Sequence, residues 1–140
     1  MSVLEEPVVT GSRLDRLLEG AVTSRLHLAL ALVGKLKMDA GTVLDLRWSQ
    51  VNLDQRVITS RDGLVGFDEP IAGLFYWHAV RQRMDHLQSR RWADPGMVFV
   101  NQYGTLFTAE QTDATLARYC RLLDLPVVPL AGLRHPLWAA

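Results

Sequence analysis

The segment AGLRHPLWAA, residues 131–140, carries the side chains best suited to chemistry in this chain of 140 residues. Arg134 and His135 stand side by side after an apolar stretch. A guanidinium group matches the geometry of phosphate oxygens, so an arginine–histidine pair beside a helix start could hold a phosphate. The alternative is that both residues form the polar rim of an ordinary terminal helix.

Other reactive side chains are less well arranged. Asp39 and Asp45 could suggest a metal site, but carboxylates at helix ends and on surfaces are far commoner. His78 and His86 lack cysteine or carboxylate ligands at useful spacing, so we expect them on the surface or at its rim. Cys120 falls on the apolar face of a predicted helix and should be inert core. We therefore expect neither a metal site nor a cofactor.

Composition and charge bound the class of protein. About half of the residues are apolar, which suffices for one compact domain. Fifteen basic and fifteen acidic residues give a formal net charge of zero, so any anion site must be local. The single cysteine fits a reducing compartment, and we see no signal peptide and no apolar run near the ~20 residues that span a bilayer. These features predict a soluble, cytoplasmic protein without a membrane partner.

Periodicity predicts a mainly α fold with a small antiparallel β-sheet. Ser12 is a good N-cap for an amphipathic helix over about 13–36, and a short helix should hold Val43, Leu44 and Leu46. The β-branched run VITS, 57–60, predicts a strand in a hairpin that returns through FDEPI, 67–71.

The second half of the chain continues this pattern. We expect a helix whose core stripe is Leu74, Trp77, Val80, Met84 and Leu87. A buried strand at 97–100 and a turn at 101–104 should follow. A capping box of Thr108 and Gln111 then predicts a helix that ends before Pro126. The domain should cover 12–140, after a tail at 1–11.

Two stretches resemble the catalytic domain of tyrosine recombinases of the phage-integrase type. ALVGKLKMDAGTVLDLRWSQVNLDQRVIT, 31–59, resembles the first catalytic box of that family and the strand after it. MVFVNQYGTLFTAEQTDATLARYCRLLDLPVVPLAGLRHPLWAA, 97–140, resembles the later part, including the His-x-Leu-Arg-His box. With the helices between them, the resemblance covers the chain from about Val9.

The resemblance implies a site in which arginines, a lysine and histidines stabilise a DNA phosphate that a tyrosine attacks. It places Asp39 at the first catalytic arginine, Arg61 at the hairpin lysine and Ala131 at the first histidine. Arg134 stands at the second arginine, and His135 at a mainly structural histidine. Thr42 replaces a supporting glutamate, as a further departure from the pattern.

These departures predict an inactive relative. The chain ends before the position of the nucleophilic tyrosine, and Tyr103 and Tyr119 lie upstream of the last box. Loss of one charge-stabilising donor typically costs ~10²–10³ in rate, and an aspartate adds repulsion. We expect the domain to lack the C-terminal nucleophile segment and the separate N-terminal DNA-clamping domain.

Three functional hypotheses remain open. The first is a DNA-binding or regulatory protein that contacts phosphates through Arg134, His135 and Arg61, together with Arg81, Arg83, Arg90 and Arg91. The second is an interaction module that pairs with an active recombinase or with itself. The third is a fragment of a site-specific recombinase that another chain completes.

The resemblance to the recombinase domain makes specific structural predictions. Trp48 and Trp77 should be substantially buried. Arg134 should lie near the start of the last helix and point toward a space shared with Asp39 and Arg61, pairing with the Asp39 carboxylate. Leu133 and Leu137 should anchor this segment in the core.

Overall fold

The computed structural model describes residues 12–20, 24–61, 63–88, 96–100 and 108–138. Within them lie five α-helices and a three-stranded antiparallel sheet, which confirms the predicted fold class. The helices are α1 (Arg13–Gly20), α2 (Ser24–Gly34), α3 (Ala40–Leu44), α4 (Glu69–Gln88) and α5 (Ala109–Leu122). The strands are β1 (Val51–Asn52), β2 (Val57–Ser60) and β3 (Gly63–Gly66). Several predictions lie outside the described residues. They concern the tail at 1–11, the turn at 101–104, Arg90, Arg91 and the side chains of His86 and Leu87.

The single helix predicted over 13–36 is wrong, because α1 and α2 pack against each other as separate helices. A Cβ atom at Gly34, the last residue of α2, would lie 2.6 Å from Cδ1 of Leu14 at the start of α1. Lys35 Nζ also donates to Asp15 Oδ1 at 3.0 Å, which lowers the pKa of that carboxyl. In one continuous helix these residues would lie about 30 Å apart. The predicted cap is confirmed, since Asp15 N donates to Ser12 Oγ at 3.1 Å.

Helix α2 forms the centre of the core. Its buried residues are Leu26, Leu28, Ala29, Leu30, Ala31, Leu32 and Val33, each at most 1% exposed. From 28 to 33 the helix is apolar on all sides and has no solvent face, so other elements must cover it. Contacts with α1, α3, α4 and the segment at 130–134 do so.

The sheet is a tight meander. Ile58 of β2 pairs with Val51 of β1 and with Val65 of β3, and Ser60 pairs with Gly63. The return strand is therefore GLVG itself and not the predicted FDEPI, where α4 begins at Glu69. Gly63 has φ of 121°, a conformation that glycine adopts without strain and that permits the short turn.

The face of α4 that packs on the core differs from the predicted stripe. Ile71, Phe75 and His78 are buried, whereas Trp77, Val80 and Met84 are more than half exposed. The predictions that Trp77 is core and that His78 is a surface residue are both wrong. Trp48 is partly buried and packs against the core, as predicted.

The segment at 97–100 and the start of α5 are each fixed by hydrogen bonds, the first over a long sequence distance and the second locally. Val98 N donates to Leu46 O at 3.0 Å, so the predicted strand at 97–100 is buried but forms only isolated bridges. Thr108 caps α5 by accepting from Gln111 N at 3.2 Å, as predicted. Cys120 on α5 is buried, also as predicted, and burial raises the pKa of its thiol.

Candidate functional site

A cavity of about 390 Å³ opens where the start of α3 meets the β2–β3 hairpin and the segment at 130–134. It brings together residues of the first half of the chain and one residue near its C-terminal end. The lining residues are Leu36, Lys37, Met38, Asp39, Thr42, Ser60, Val65 and Arg134. The predicted grouping of Asp39 with Arg134 around one space is therefore present.

Asp39 is held at the cavity wall because it is the N-cap of α3. Its Oδ2 accepts hydrogen bonds from Thr42 N at 3.1 Å and from Thr42 Oγ1 at 3.3 Å. Aspartate is one of the residue types preferred at this position, since its carboxylate satisfies a backbone N–H group that the helix leaves unpaired. The capping of α3 is therefore sufficient to account for an aspartate at this position in the cavity.

Arg134 reaches the cavity from a 3₁₀ turn, Leu130–Arg134, and not from the start of a helix as predicted. Leu130 and Leu133 of this turn are buried, and Leu130 N donates to Asp113 Oδ1 at 2.8 Å. Trp138 in a second 3₁₀ turn, Pro136–Trp138, anchors the segment, whereas Leu137 is 59% exposed. The prediction that Leu137 anchors it is therefore wrong.

The predicted ion pair between Asp39 and Arg134 does not form. Among the described residues the carboxylate of Asp39 bonds only to Thr42. The guanidinium group of Arg134 has neither a hydrogen-bond partner nor an ion-pair partner in that part of the chain. In the described part of the chain, the cavity therefore has a guanidinium group without a direct partner and a carboxylate that is hydrogen-bonded to Thr42.

The other predicted site residues lie outside the cavity lining. Arg61 is exposed at the tip of the β2–β3 hairpin, although its neighbour Ser60 lines the cavity. His135 is exposed, and its Nδ1 accepts from Leu137 N at 3.2 Å. Ala131 is exposed on the 3₁₀ turn. The structure groups only Asp39 and Arg134 of the predicted set.

Lys37 is the cavity residue that the sequence interpretation missed. It has φ of 60°, in the left-handed region, and it lies two positions before Asp39. For a residue with a Cβ atom this conformation costs about 1–2 kcal/mol relative to ordinary helical backbone. The sequence shows a lysine two positions before Asp39, but it does not indicate that this lysine adopts a left-handed backbone conformation.

The lining suits anion binding better than proton transfer or nucleophilic attack. Lys37 and Arg134 supply positive charge, and Ser60 and Thr42 supply hydroxyl groups. Among the described residues, the lining contains no cysteine, histidine or tyrosine. Along the stretches that the structure describes, no cluster of three or more histidine, cysteine or acidic residues could hold a metal ion. None of the helices described there is both long and apolar enough to cross a bilayer.

Solved recombinase structures share this architecture. XerA recombinase matches with a TM-score of 0.74 and 16% identity over 98% of this chain and 49% of that chain. The Tn1549 transposon integrase in complex with a circular intermediate DNA matches with a TM-score of 0.67 and 15% identity, over 98% and 52% of the two chains. The same integrase in complex with transposon right end DNA gives 0.66 and 15%, over 96% and 51%.

Sequence comparison adds no closer relative, since neither a protein-family model nor a curated protein matches the chain. The chain spans about half the length of the solved structures that it matches. At this level of identity the similarity lies in the fold. The chain therefore has the fold of the tyrosine recombinases and integrases.

Proposed function

We propose that the protein is a catalytically inactive relative of the tyrosine recombinases that binds DNA through the cavity around Arg134. The observation that carries this proposal is the position of Asp39. Its carboxylate lines the same cavity as Arg134, at the place where the resemblance puts a catalytic arginine. The cavity keeps one of the cations expected of a phosphate site and replaces another with an anion.

DNA is the proposed ligand because the similar integrase structures are complexes with DNA. The cavity also offers ammonium and guanidinium donors of the kind that contact phosphate oxygens. Such contacts position a protein on DNA without reading its sequence. The proposed role is therefore backbone binding, with a regulatory effect on recombination as its consequence.

Inactivity follows from charge at the cavity. A lost charge-stabilising donor typically costs ~10²–10³ in rate. The Asp39 carboxylate also repels the phosphate whose negative charge grows in the transition state. Incubated with a nicked suicide DNA substrate, the protein should form no covalent DNA adduct on a denaturing gel. An adduct would overturn the proposed inactivity, and mapping it to Tyr103 or Tyr119 would show that the family alignment is wrong.

Charge at position 39 provides the test of DNA binding. Asp39→Asn keeps an N-cap side chain and removes the negative charge, so affinity for duplex DNA at low salt should rise. Asp39→Arg should raise it further and steepen its decrease with salt, because counterion release grows with each cation at a phosphate. Asp45→Asn, an exposed carboxylate outside the cavity lining, is the matched control. Equal or absent binding in all four proteins would refute the DNA-binding proposal.

A second candidate function is self-association through α4. Trp77, Val80 and Met84 are 54%, 58% and 52% exposed, and with Gly73 they recur at intervals of three and four. This spacing is that of helix pairs. In an antiparallel pair of two copies, Trp77 would lie against Met84 of the second copy, a favourable sulfur–aromatic contact made twice by symmetry.

Sedimentation tests this second candidate. The wild-type protein should form a dimer that Trp77→Ala weakens, while Leu64→Ala, which changes an exposed apolar residue on β3, should not weaken it. Because Arg81 of both copies would lie near the centre of the pair, added salt should strengthen the dimer. A wild-type protein that stays monomeric at all salt concentrations would contradict self-association.

A further inference from the structure

Lys37 occupies a backbone conformation that suits glycine better than lysine. Its φ of 60° lies in the left-handed region, where a Cβ atom crowds the following carbonyl group. An observed outlier of this kind at a cavity wall motivates a functional interpretation. Arg56 has a similar φ of 57° outside the cavity, so the location of Lys37 in the cavity lining is what distinguishes it.

The ammonium group of Lys37 is uncommitted. In the described part of the chain it makes neither a hydrogen bond nor an ion pair, and the residue is exposed at the cavity wall. By contrast, the neighbouring Lys35 is bound to Asp15 at 3.0 Å. Lys37 and Arg134 thus line one cavity from two distant segments, and both cations lack a partner there.

We infer that Lys37 is the second cation of the phosphate site, taking the part that Arg61 was predicted to play. The inference rests on the proposed DNA-binding function and adds a residue to it. Phosphate oxygens of the DNA backbone at the cavity would accept one hydrogen bond from Lys37 and one from Arg134, so that each cation makes its own phosphate contact. Arg61, which does not line the cavity, contributes little to this contact.

Replacing Lys37 with glycine distinguishes a role in phosphate binding from a role in stabilising the fold. Lys37→Gly removes the charge and relieves the left-handed strain, so the melting temperature should stay the same or rise while phosphate binding weakens. Lys37→Gln removes the charge and keeps the strain, and Lys37→Arg keeps the charge. The matched control is Arg56→Gly. Arg56 has φ of 57°, is exposed between β1 and β2, and lies outside the cavity lining.

Duplex DNA binding measured against salt gives the main readout. Each phosphate contact contributes about 0.9 to the slope of log affinity against log salt. Lys37→Gly and Lys37→Gln should each reduce the magnitude of the slope by about 0.9, whereas Lys37→Arg and Arg56→Gly should keep the wild-type slope. An unchanged slope in Lys37→Gln, with a reduced one in Arg134→Gln, would overturn the inference and leave the DNA-binding proposal intact. Equal reductions in Lys37→Gly and Arg56→Gly would also overturn it, as an effect of net charge alone.

A titration with inorganic phosphate distinguishes the two proposals if wild-type protein does not bind DNA. Absent DNA binding refutes the proposed function. The inference about Lys37 then depends on the NMR shifts of the Thr42 and Arg134 amides. Shifts in wild type that Lys37→Gln abolishes and Lys37→Arg restores support it. Absent shifts in wild type, or shifts that persist in Lys37→Gln, overturn it.

Discussion

Asp39 has a structural and an electrostatic effect through the same carboxylate. As N-cap it accepts two hydrogen bonds from Thr42 and fixes the start of α3. As a cavity residue it lowers the positive potential next to Arg134. The resemblance predicted that Asp39 and Arg134 share one cavity, because it assigns them to the two arginine positions of a single phosphate site. It could not show that Thr42 engages the carboxylate and that Arg134 stays unpaired, since these outcomes depend on side-chain geometry.

The capping role predicts a stability difference at position 39. Asp39→Ala should lower the free energy of unfolding by about 1 kcal/mol, because one N–H group of α3 loses its partner. Asp39→Asn should stay within about 0.5 kcal/mol of wild type, since asparagine caps equally well. Urea denaturation measures both. Equal losses in the two variants would indicate that the charge, and not the cap, stabilises α3.

At the scale of the element, α4 shows why the sequence pattern assigned the wrong side of a helix to the core. The helix has apolar residues on two sides, and the side that packs on the core includes the polar His78 and Gln82. Gln82 Nε2 donates to Met97 O and to Val98 O, each at 3.0 Å. Its Oε1 accepts from Trp48 Nε1 at 2.7 Å. A hydrophobicity pattern assigns such a residue to solvent, because its partners are carbonyl groups distant in sequence.

The α1–α2 boundary was missed for a related reason. An apolar residue at every third or fourth position fits one long helix as well as two short ones. The close approach of Leu14 to Gly34 shows that α1 and α2 are two helices, and it is a tertiary contact that local sequence patterns do not reveal. The caps at Ser12 and Thr108 were predictable because their hydrogen bonds are local in sequence.

Removing the amide group of Gln82 should strongly destabilise the protein, because this group hydrogen-bonds to Trp48, Met97 and Val98. Gln82→Leu removes the partner of Met97 O and of the Trp48 indole N–H, whereas Val98 O keeps its contact with His78 Nε2 at 2.6 Å. The free energy of unfolding should therefore fall by about 2–3 kcal/mol. Gln55→Leu, at an exposed position between β1 and β2, should change it by less than about 0.5 kcal/mol. Chemical denaturation of both variants measures this difference in the free energy of unfolding. A loss no greater than that of the Gln55 variant would contradict this prediction.

For the whole molecule, the balance of charge restricts where an anion can bind. Equal numbers of basic and acidic residues give no net field, so local cations must hold DNA. Two candidate surfaces carry them in the described part of the chain, namely the cavity and the exposed side of α4 with Arg81 and Arg83. If Lys37 and Arg134 make the phosphate contacts, the salt slope of the wild-type protein should be close to about −1.8.

The double variant Arg81→Gln and Arg83→Gln discriminates between these surfaces. When DNA binds at the cavity, the variant should keep the wild-type salt slope, because neither arginine lines that cavity. Its self-association should strengthen at low salt, since the repulsion between the two copies of Arg81 is removed. Fluorescence anisotropy with labelled duplex and sedimentation velocity measure the two effects on the same samples. A slope reduced by about 1.8 in this variant would place DNA on α4 and would contradict phosphate binding at the cavity.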